Sequence, residues 1–142
     1  MFDFLDIDFI YGSTKLLSAI LFGSLIFFAA VLAPTIFMTL DQPNARKLIR
    51  AIFPKLYMWG FVISFFVSIL NLYQVSFITL IAFLISFGFI FSRQILMPKI
   101  NEASDLSGNK TDENKRFKKL HSLSVLIFVL QLILILFLYF YF

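Results

Sequence analysis

Four long apolar segments are the feature that most restricts the fold of this sequence. They lie at about residues 16–40, 56–73, 75–92 and 120–142, and none contains Asp, Glu, Lys or Arg. A bilayer core about 30 Å thick needs about 20 apolar helical residues for each crossing. Transmembrane strands would alternate apolar and polar residues, and runs such as VLIFVLQLILILFLYF do not alternate. We therefore predict four membrane-spanning helices.

The overall composition excludes two other classes of protein. Hydrophobic residues make up 61% of the chain and charged residues 14%, against about 45–50% and about 25% in an ordinary soluble domain. This excess of apolar surface also excludes an intrinsically disordered chain, which needs low hydrophobicity and high net charge. The chain has no Cys, so a disulfide framework, a thiolate metal site and a cysteine nucleophile are excluded.

The positions of the basic residues predict the orientation in the membrane. Eleven of the 12 Lys and Arg residues lie in two stretches, residues 46–55 and 93–119, on either side of the second and third spans. Basic residues near span ends stay on the cytoplasmic side. We therefore predict a multi-pass protein of the cell inner membrane, with cytoplasmic basic loops and both termini outside, in the periplasm. Because the positions of these basic residues are explained by the orientation of the spans in the membrane, the lipid bilayer is the predicted partner and nucleic acid is not.

Two segments between the spans predict further structure. Apolar and basic residues at about 44–53 fall on opposite sides of a helix, which is typical of an amphipathic helix lying in the membrane interface. Pro54 is expected to bend the chain into the second span. Residues 98–117 read as a solvated cytoplasmic loop because they combine Gly, Ser, Asn and mixed charges. The prediction is one all-α domain, residues 1–142: an antiparallel four-helix bundle with a short interfacial helix.

Small and polar residues at helical spacing predict the inward faces of the helices. Bundle interfaces in lipid favour such residues, because lipid exerts no hydrophobic pull between helices. The predicted inward stripes are Ala19, Gly23, Ala30, Ala33 and Pro34 in the first span; Gly60, Ser64, Ser68 and Asn71 in the second; Thr79, Ala82, Ser86 and Arg93 in the third; and His121, Ser124 and Gln131 in the fourth.

Asn71 and Gln131 are the candidate polar residues deepest in the membrane. Polar side chains are costly there and are often functional. One hypothesis is that both residues form hydrogen bonds between helices; the other is that they line a polar path or a small ligand pocket. No Asp or Glu lies inside any span, which argues against an ion-coupled pump.

Four further candidates lie near the predicted cytoplasmic side: Arg93, Asn101, His121 and Ser124. His121 is the single histidine, and a metal site usually needs three or four ligands, so no metal and no cofactor are predicted. His121 is expected to join helix ends through Ser124 or a loop carbonyl. Arg93 is expected to extend to lipid headgroups or to pair with an acidic loop residue. No catalytic motif is present, so no catalytic residue is assigned and no enzymatic activity is predicted.

Several short strings resemble a known family. The strings are A-P-T-I-F at 33–37, I-F-P at 52–54, M-P-K-I-N at 97–101 and L-H-S-L-S at 120–124. In this order they resemble the small four-span family named for transmembrane protein 205, also known as domain of unknown function 4149. The resemblance implies the same four-helix membrane fold and marks Asn101, His121 and Ser124 as family positions. It also implies a link to tolerance of platinum drugs and to export, without an established mechanism.

Three functional hypotheses remain open from the sequence. The leading hypothesis is a non-enzymatic structural, accessory or partner-binding membrane protein, with a membrane protein as one possible partner and an unknown oligomeric state. The second is a small transporter or a metal- or drug-tolerance protein, which the polar stripes and the resemblance favour. The third is a haem- or quinone-linked redox protein that uses His121.

Overall fold

Four long helices make up the chain in a computed structural model that describes residues 6–72, 76–108 and 111–142. We number them α1 (Ile7–Phe27, Phe28–Leu32 and Ala33–Thr39), α2 (Gln42–Leu70), α3 (Ser76–Phe91, Ser92–Leu96 and Met97–Leu106) and α4 (Thr111–Tyr141). The described residues form no strand, and all four helices are long and apolar enough to cross a membrane. The all-α fold and the four spanning helices are thereby confirmed.

The predicted interfacial helix at 44–53 is wrong as a separate element. Residues 44–53 are the first turns of α2, which begins at Gln42 with Pro43 in its first turn and continues through Pro54. Its 29 residues cover about 44 Å, more than the apolar core of a bilayer. Because a helix satisfies its own backbone hydrogen bonds, the charged turns extend beyond the apolar layer without a break at Pro54.

The predicted solvated loop at 98–117 is also wrong, since most of it is helical. Helix α3 runs to Leu106 and α4 starts at Thr111, with a turn that includes Ser107 and Gly108 between them. The charged end of α3 is helical because one side of it, with Ile100 and Ala103, is buried against the bundle. Residues 109–110 and the predicted span ends at 73 and 75 lie outside the described residues.

Two π-helical turns interrupt α1 and α3, and each ends two residues before a proline. The turns Phe28–Leu32 and Ser92–Leu96 precede Pro34 and Pro98, each the second residue of the α-helical segment that follows. A proline lacks the N–H of a helix interior, and its ring collides with the carbonyl four residues earlier. A wider turn relieves that collision, and such local adjustments allow prolines in spanning helices.

Each helix packs against two neighbours, and α1 changes neighbour along its length. Ile7–Phe27 packs against both α2 and α4, which closes the ring of helices. The remainder of α1 packs against α2, where Phe28 and Ile36 form an apolar cluster with Ala45 and Ile49. Helices α1 and α4 therefore separate toward the end of the bundle that carries the basic residues, which we call the basic end.

The predicted inward stripes are correct for α2, correct for α3 except at the half-buried Arg93, and wrong for α1. In α4 only Gln131 is buried, whereas Ser124 is half-buried and His121 is exposed. Gly60, Ser64, Ser68 and Asn71 in α2, and Thr79, Ala82 and Ser86 in α3, are buried. In α1 the buried residues are Ile10, Thr14, Ser18, Leu21 and Leu25, whereas Ala19, Gly23 and Ala30 are exposed. Lipid is as apolar as the bundle interior. The free energy of the bundle therefore changes little whether small apolar residues face the interior or the lipid, and such residues do not determine which side of a helix turns inward.

Candidate binding cleft

A cavity of about 670 Å³ lies at the basic end, where α1 and α4 separate. All four helices contribute to its lining: Phe28, Ala29, Ala33 and Phe37 from α1; Gln42, Arg46, Ile49, Arg50, Phe53 and Tyr57 from α2; Met97, Ile100, Asn101 and Ser104 from α3; and Asn114, Phe117, His121, Ser124, Val125 and Phe128 from α4, together with Ser107 from the turn. We call this cavity the cleft. Its volume falls within the range of about 300–1,000 Å³ that is typical of small-molecule sites.

The deep wall of the cleft is apolar and rich in aromatic rings. Phe28 meets Phe53 edge-on with ring centroids 5.2 Å apart, and Phe53 lies 5.5 Å from Tyr57. Tyr57 is buried and in turn faces Phe89, which fills the centre of the bundle. These contacts hold the rings in fixed positions, so the deep wall offers a preformed apolar surface.

The opposite wall, at the charged ends of α2, α3 and α4, is polar. It carries the guanidinium groups of Arg46 and Arg50 and the side chains of Asn101 and His121. Arg50 donates hydrogen bonds to both carboxylate oxygens of Asp105, at 2.6 and 3.2 Å, and to the backbone carbonyl of Asn101 at 3.4 Å. The cleft is therefore amphiphilic, with an apolar floor and a basic rim.

The gap between α1 and α4 gives the cleft an opening on the lipid-facing side. Phe37 on the α1 side and Val125 on the α4 side both line the cleft and are about half exposed, at 54% and 48%. Both are large apolar residues, which are suited to contact with acyl chains. The cleft is therefore bordered by exposed apolar side chains on both sides of this gap.

Three of the six candidate site residues come together in the cleft: Asn101, His121 and Ser124. The His121 ring stacks on Phe117 with centroids 5.9 Å apart. The Ser124 hydroxyl donates to the backbone carbonyl of His121 at 2.7 Å. The predicted contact between His121 and Ser124 thus exists within α4, and the joining of different helix ends through His121 is not among the described contacts.

Arg93 lies outside the cleft and joins two helices. Its Nε donates to the backbone carbonyl of Pro54 at 3.2 Å, which links α3 to α2. The predicted acidic partners are used elsewhere, because Asp105 pairs with Arg50 and Glu102 pairs with Arg116. Of the two alternatives predicted for Arg93, the ion pair with an acidic loop residue does not occur among the described contacts, and the extension to lipid headgroups stays a prediction.

Asn71 lies far from the cleft, at the opposite end of the bundle, where it joins three helices. Its Nδ2 donates to Thr14 Oγ1 in α1 at 2.8 Å and to the Val67 carbonyl in its own helix at 2.9 Å. Its backbone carbonyl accepts a hydrogen bond from Thr79 Oγ1 in α3 at 2.6 Å. Asn71 and Thr14 are fully buried, so this cluster acts as a hydrogen-bonded connection between helices.

Gln131 makes a second connection, between α4 and α3. Its Nε2 donates to the carbonyl of Ile85 at 3.1 Å, whereas its buried Oε1 has no partner among the described residues. Gly88 makes this approach possible, because a Cβ there would lie 2.8 Å from Gln131 Nε2. A third connection joins the hydroxyls of Ser86 and Ser64, 2.9 Å apart. The structure thus places Asn71 and Gln131 in contacts between helices and away from the cleft.

The residues that sequence reasoning missed are Arg46, Arg50 and the aromatic residues of the deep wall. Residues 44–53 were expected to lie flat on the membrane surface, which would place both arginines among lipid headgroups. The signal that was available is the alternation of basic and apolar residues from Arg46 to Phe53, combined with the two prolines Pro34 and Pro98 on neighbouring helices. The described residues contain no group of three or more His, Asp or Glu side chains arranged to hold a metal ion.

Comparison with known proteins gives one match. The sequence model of the family described as "Domain of unknown function (DUF4149)" matches residues 16–109, which is more than half of the chain. The matched range covers most of α1, all of α2 and all of α3, and it leaves the α4 wall of the cleft outside. No curated protein and no solved structure gives a significant match.

Proposed function

Because this chain belongs to the DUF4149 family of unknown function, we propose a function from the geometry of its cleft: it is a non-enzymatic membrane protein that binds a lipid-like amphiphile. The apolar part of the ligand lies against the aromatic floor, and its polar head lies at the basic rim. This proposal makes the predicted partner-binding role specific, with the amphiphile as the partner.

The observation that carries the proposal is the shape and chemistry of the cleft. A single cavity combines an apolar floor, a basic rim and a lateral opening between α1 and α4. Ligand sites of this kind bind mainly through apolar walls and gain orientation from a few polar groups. A water-soluble polar ligand would leave the apolar floor unused, and a purely apolar ligand would make no use of the polar groups of the rim.

The arrangement of the polar groups in the cleft supports binding without chemistry. A serine nucleophile needs a base within hydrogen-bond reach, and the Ser124 hydroxyl donates to a backbone carbonyl instead. Within the described part of the chain, no Asp or Glu side chain lines the cleft, so no carboxylate is placed there to orient His121 as a general base. Turnover of a phospholipid by the purified chain would contradict this part of the proposal.

The orientation of the protein is a further part of the proposal. Basic segments near spanning helices remain in the cytoplasm, so the basic end and its cleft face the cytoplasm of the cell, within the inner membrane. The cleft then lies at the cytoplasmic leaflet, where a lipid of that leaflet has direct access to the lateral opening.

The test is to fill the cleft from α1 and measure binding of a labelled lipid. Ala33 lines the cleft and is half-buried. In neutral detergent, we expect the full chain to bind a phosphatidylcholine that carries a fluorophore on its acyl chain. Ala33→Trp should weaken this binding about tenfold or more, because the indole occupies the space of the ligand.

The matched control is Ala30→Trp, which adds the same ring one turn earlier on an exposed face outside the cleft. This variant should bind the labelled lipid as the natural chain does. Equal loss in both variants, or no saturable binding by the natural chain, would contradict the proposed function.

A further inference from the structure

The charged side chains that line the cleft are basic, and the carboxylate of Asp105 pairs with one of them, Arg50, at the edge. The polar residues that line the cleft include two arginines, one histidine and several neutral amides and hydroxyls. No carboxylate in the described ranges lies among them. A site with this composition is complementary to a negatively charged group and repels a cationic one.

The two arginines of the rim differ in their partners. Arg50 is held by Asp105, with both carboxylate oxygens accepting from its guanidinium group. Arg46 donates to the neutral side-chain oxygen of Gln42 at 3.3 Å, and no ion pair of Arg46 occurs among the described residues. Arg50 and, without a direct bond, the charge of Arg46 hold the pKa of the Asp105 carboxyl below its usual value. Because Arg46 makes no ion pair among the described contacts, it can bind a ligand directly, whereas Arg50 becomes available only when Asp105 releases it.

From these observations we infer that the amphiphile in the cleft carries an anionic phosphate or carboxylate head, which Arg46 binds at the rim. This inference rests on the proposed function and adds the chemical class of the ligand. A guanidinium group donates two parallel hydrogen bonds to a phosphate or carboxylate, and such charge-assisted bonds are short and strong. The apolar floor then holds the acyl part of the same molecule.

Competition between Asp105 and the ligand follows from the same geometry. Asp105 is a carboxylate that already occupies Arg50 at the edge of the cleft, and its negative charge disfavours a second anion nearby. Removing that charge should release Arg50 toward the cleft and strengthen binding of an anionic head. The Arg50–Asp105 pair thus limits the affinity of the site for the anionic amphiphile.

The experiment compares two lipids with identical acyl chains on the full chain in neutral detergent. Native mass spectrometry gives the dissociation constants of phosphatidylglycerol, which is anionic, and phosphatidylcholine, which is zwitterionic. We expect phosphatidylglycerol to bind about tenfold more tightly, because the choline of phosphatidylcholine offsets the charge of its phosphate. Arg46→Gln should weaken phosphatidylglycerol binding more than phosphatidylcholine binding and so reduce the preference. An unchanged midpoint of thermal unfolding in detergent shows that the variant is folded.

Two matched controls separate the cleft from general attraction of anionic lipid to a basic surface. Lys47→Gln removes the same charge at the next position, outside the cleft, and should keep the preference. Asp105→Asn should tighten phosphatidylglycerol binding by about fivefold or less. Glu102→Gln removes a carboxylate that pairs with Arg116 away from the cleft, and this variant should leave phosphatidylglycerol binding unchanged.

The outcomes distinguish this inference from the proposed function. Equal affinity for the two lipids, or a preference that is not reduced in Arg46→Gln, overturns the anionic head and leaves amphiphile binding standing. If neither lipid binds, the proposed function itself is overturned. Binding of inorganic phosphate alone as tightly as phosphatidylglycerol overturns the role of the acyl chain and identifies the site as one for a free anion.

Discussion

Two glycines in the bundle centre are required for their size. The Phe89 ring is fully buried and rests on the backbone of α2 at Gly60, where a Cβ would lie 2.6–2.7 Å from three ring atoms. The absence of a side chain at Gly88 allows the Gln131 amide to approach the backbone of α3 in the same way. Neither glycine has a positive φ, so close approach of the neighbouring helix explains both of them.

The Gly60→Ala substitution should destabilise the bundle. The added methyl group displaces a packed aromatic ring, and such overpacking costs about 1–3 kcal/mol. The measurement is the midpoint of thermal unfolding in detergent. Gly23→Ala is the matched control, because a Cβ at Gly23 meets nothing within 4 Å, and alanine should keep or raise the midpoint there. Equal destabilisation by both variants would contradict this account.

The buried amides differ in the number of hydrogen bonds that their side chains donate. Asn71→Ala removes hydrogen bonds to α1 and within α2 at a fully buried site, and we expect a loss of about 1–3 kcal/mol in the free energy of unfolding. Gln131→Leu removes one hydrogen bond, and each substitution also removes one unpaired buried oxygen, so the effect of Gln131→Leu should be near the membrane average of about 0.6 kcal/mol. Reversible unfolding in mixed micelles measures both values. The reverse order of the two losses would contradict the assignment of Asn71 as the main connection.

At the scale of the helices, the π-helical turns position the cleft. Each is one wide turn ahead of a proline, and the turn in α1 includes Phe28 and Ala29, which line the cleft. A π turn contains one residue more than the α turn that it replaces. Because the wide turn accommodates the additional residue, the residues after it, including Ala33 and Phe37, still face the cleft.

Removal of the additional residue tests this reading of α1. Deletion of Ala30 together with Pro34→Ala removes both the π turn and the proline that requires it, so the helix should close to a regular α-helix with its faces in register. Deletion of Ile20, within the α-helical part of α1, rotates the rest of the helix by about 100°. The first variant should fold and unfold near the natural midpoint, and the second should be strongly destabilised. Comparable destabilisation of the two would show that the turn carries no additional residue.

In the whole molecule, the lengths of the helices and the positions of their charged turns make the two ends of the bundle different. The charged turns of α2, α3 and α4 gather at one end, around the cleft. At the other end the Asn71 cluster lies near aromatic contacts between the start of α1 and the end of α4, where Tyr11 and Phe142 have centroids 4.5 Å apart. The cleft end is therefore open and basic, whereas α1 and α4 are in contact toward the opposite end.

Single-cysteine labelling tests the proposed orientation, because the natural chain has no Cys. Gly108 lies in the turn between α3 and α4 at the basic end, and Leu72 lies in the turn that follows α2 at the other end. A membrane-impermeant thiol reagent added to intact cells should label Leu72→Cys and spare Gly108→Cys. Permeabilised cells provide the control for reactivity of both sites. Labelling of Gly108→Cys in intact cells would reverse the proposed orientation.

The sequence by itself determined the features that depend on composition and spacing. Four charge-free apolar segments require four spanning helices, because the transfer of backbone and side chains into lipid depends on length and hydrophobicity alone. The polar stripes of α2 and α3 were predictable for a related reason, since Ser64, Ser86 and Asn71 can form hydrogen bonds to a neighbouring helix only on the inner side.

The tertiary structure alone decided the rest. The inward face of α1, the continuation of α2 through Pro54 and the position of Arg46 and Arg50 in a cleft all depend on where neighbouring helices lie. Helix α1 offers polar Thr14 and Ser18 on one side and small Ala19 and Gly23 on another, and lipid does not separate these sides by hydrophobicity. The cleft arises because α1 leaves α4 and follows α2, which is a property of packing between distant segments and is not encoded in the local pattern of any one helix.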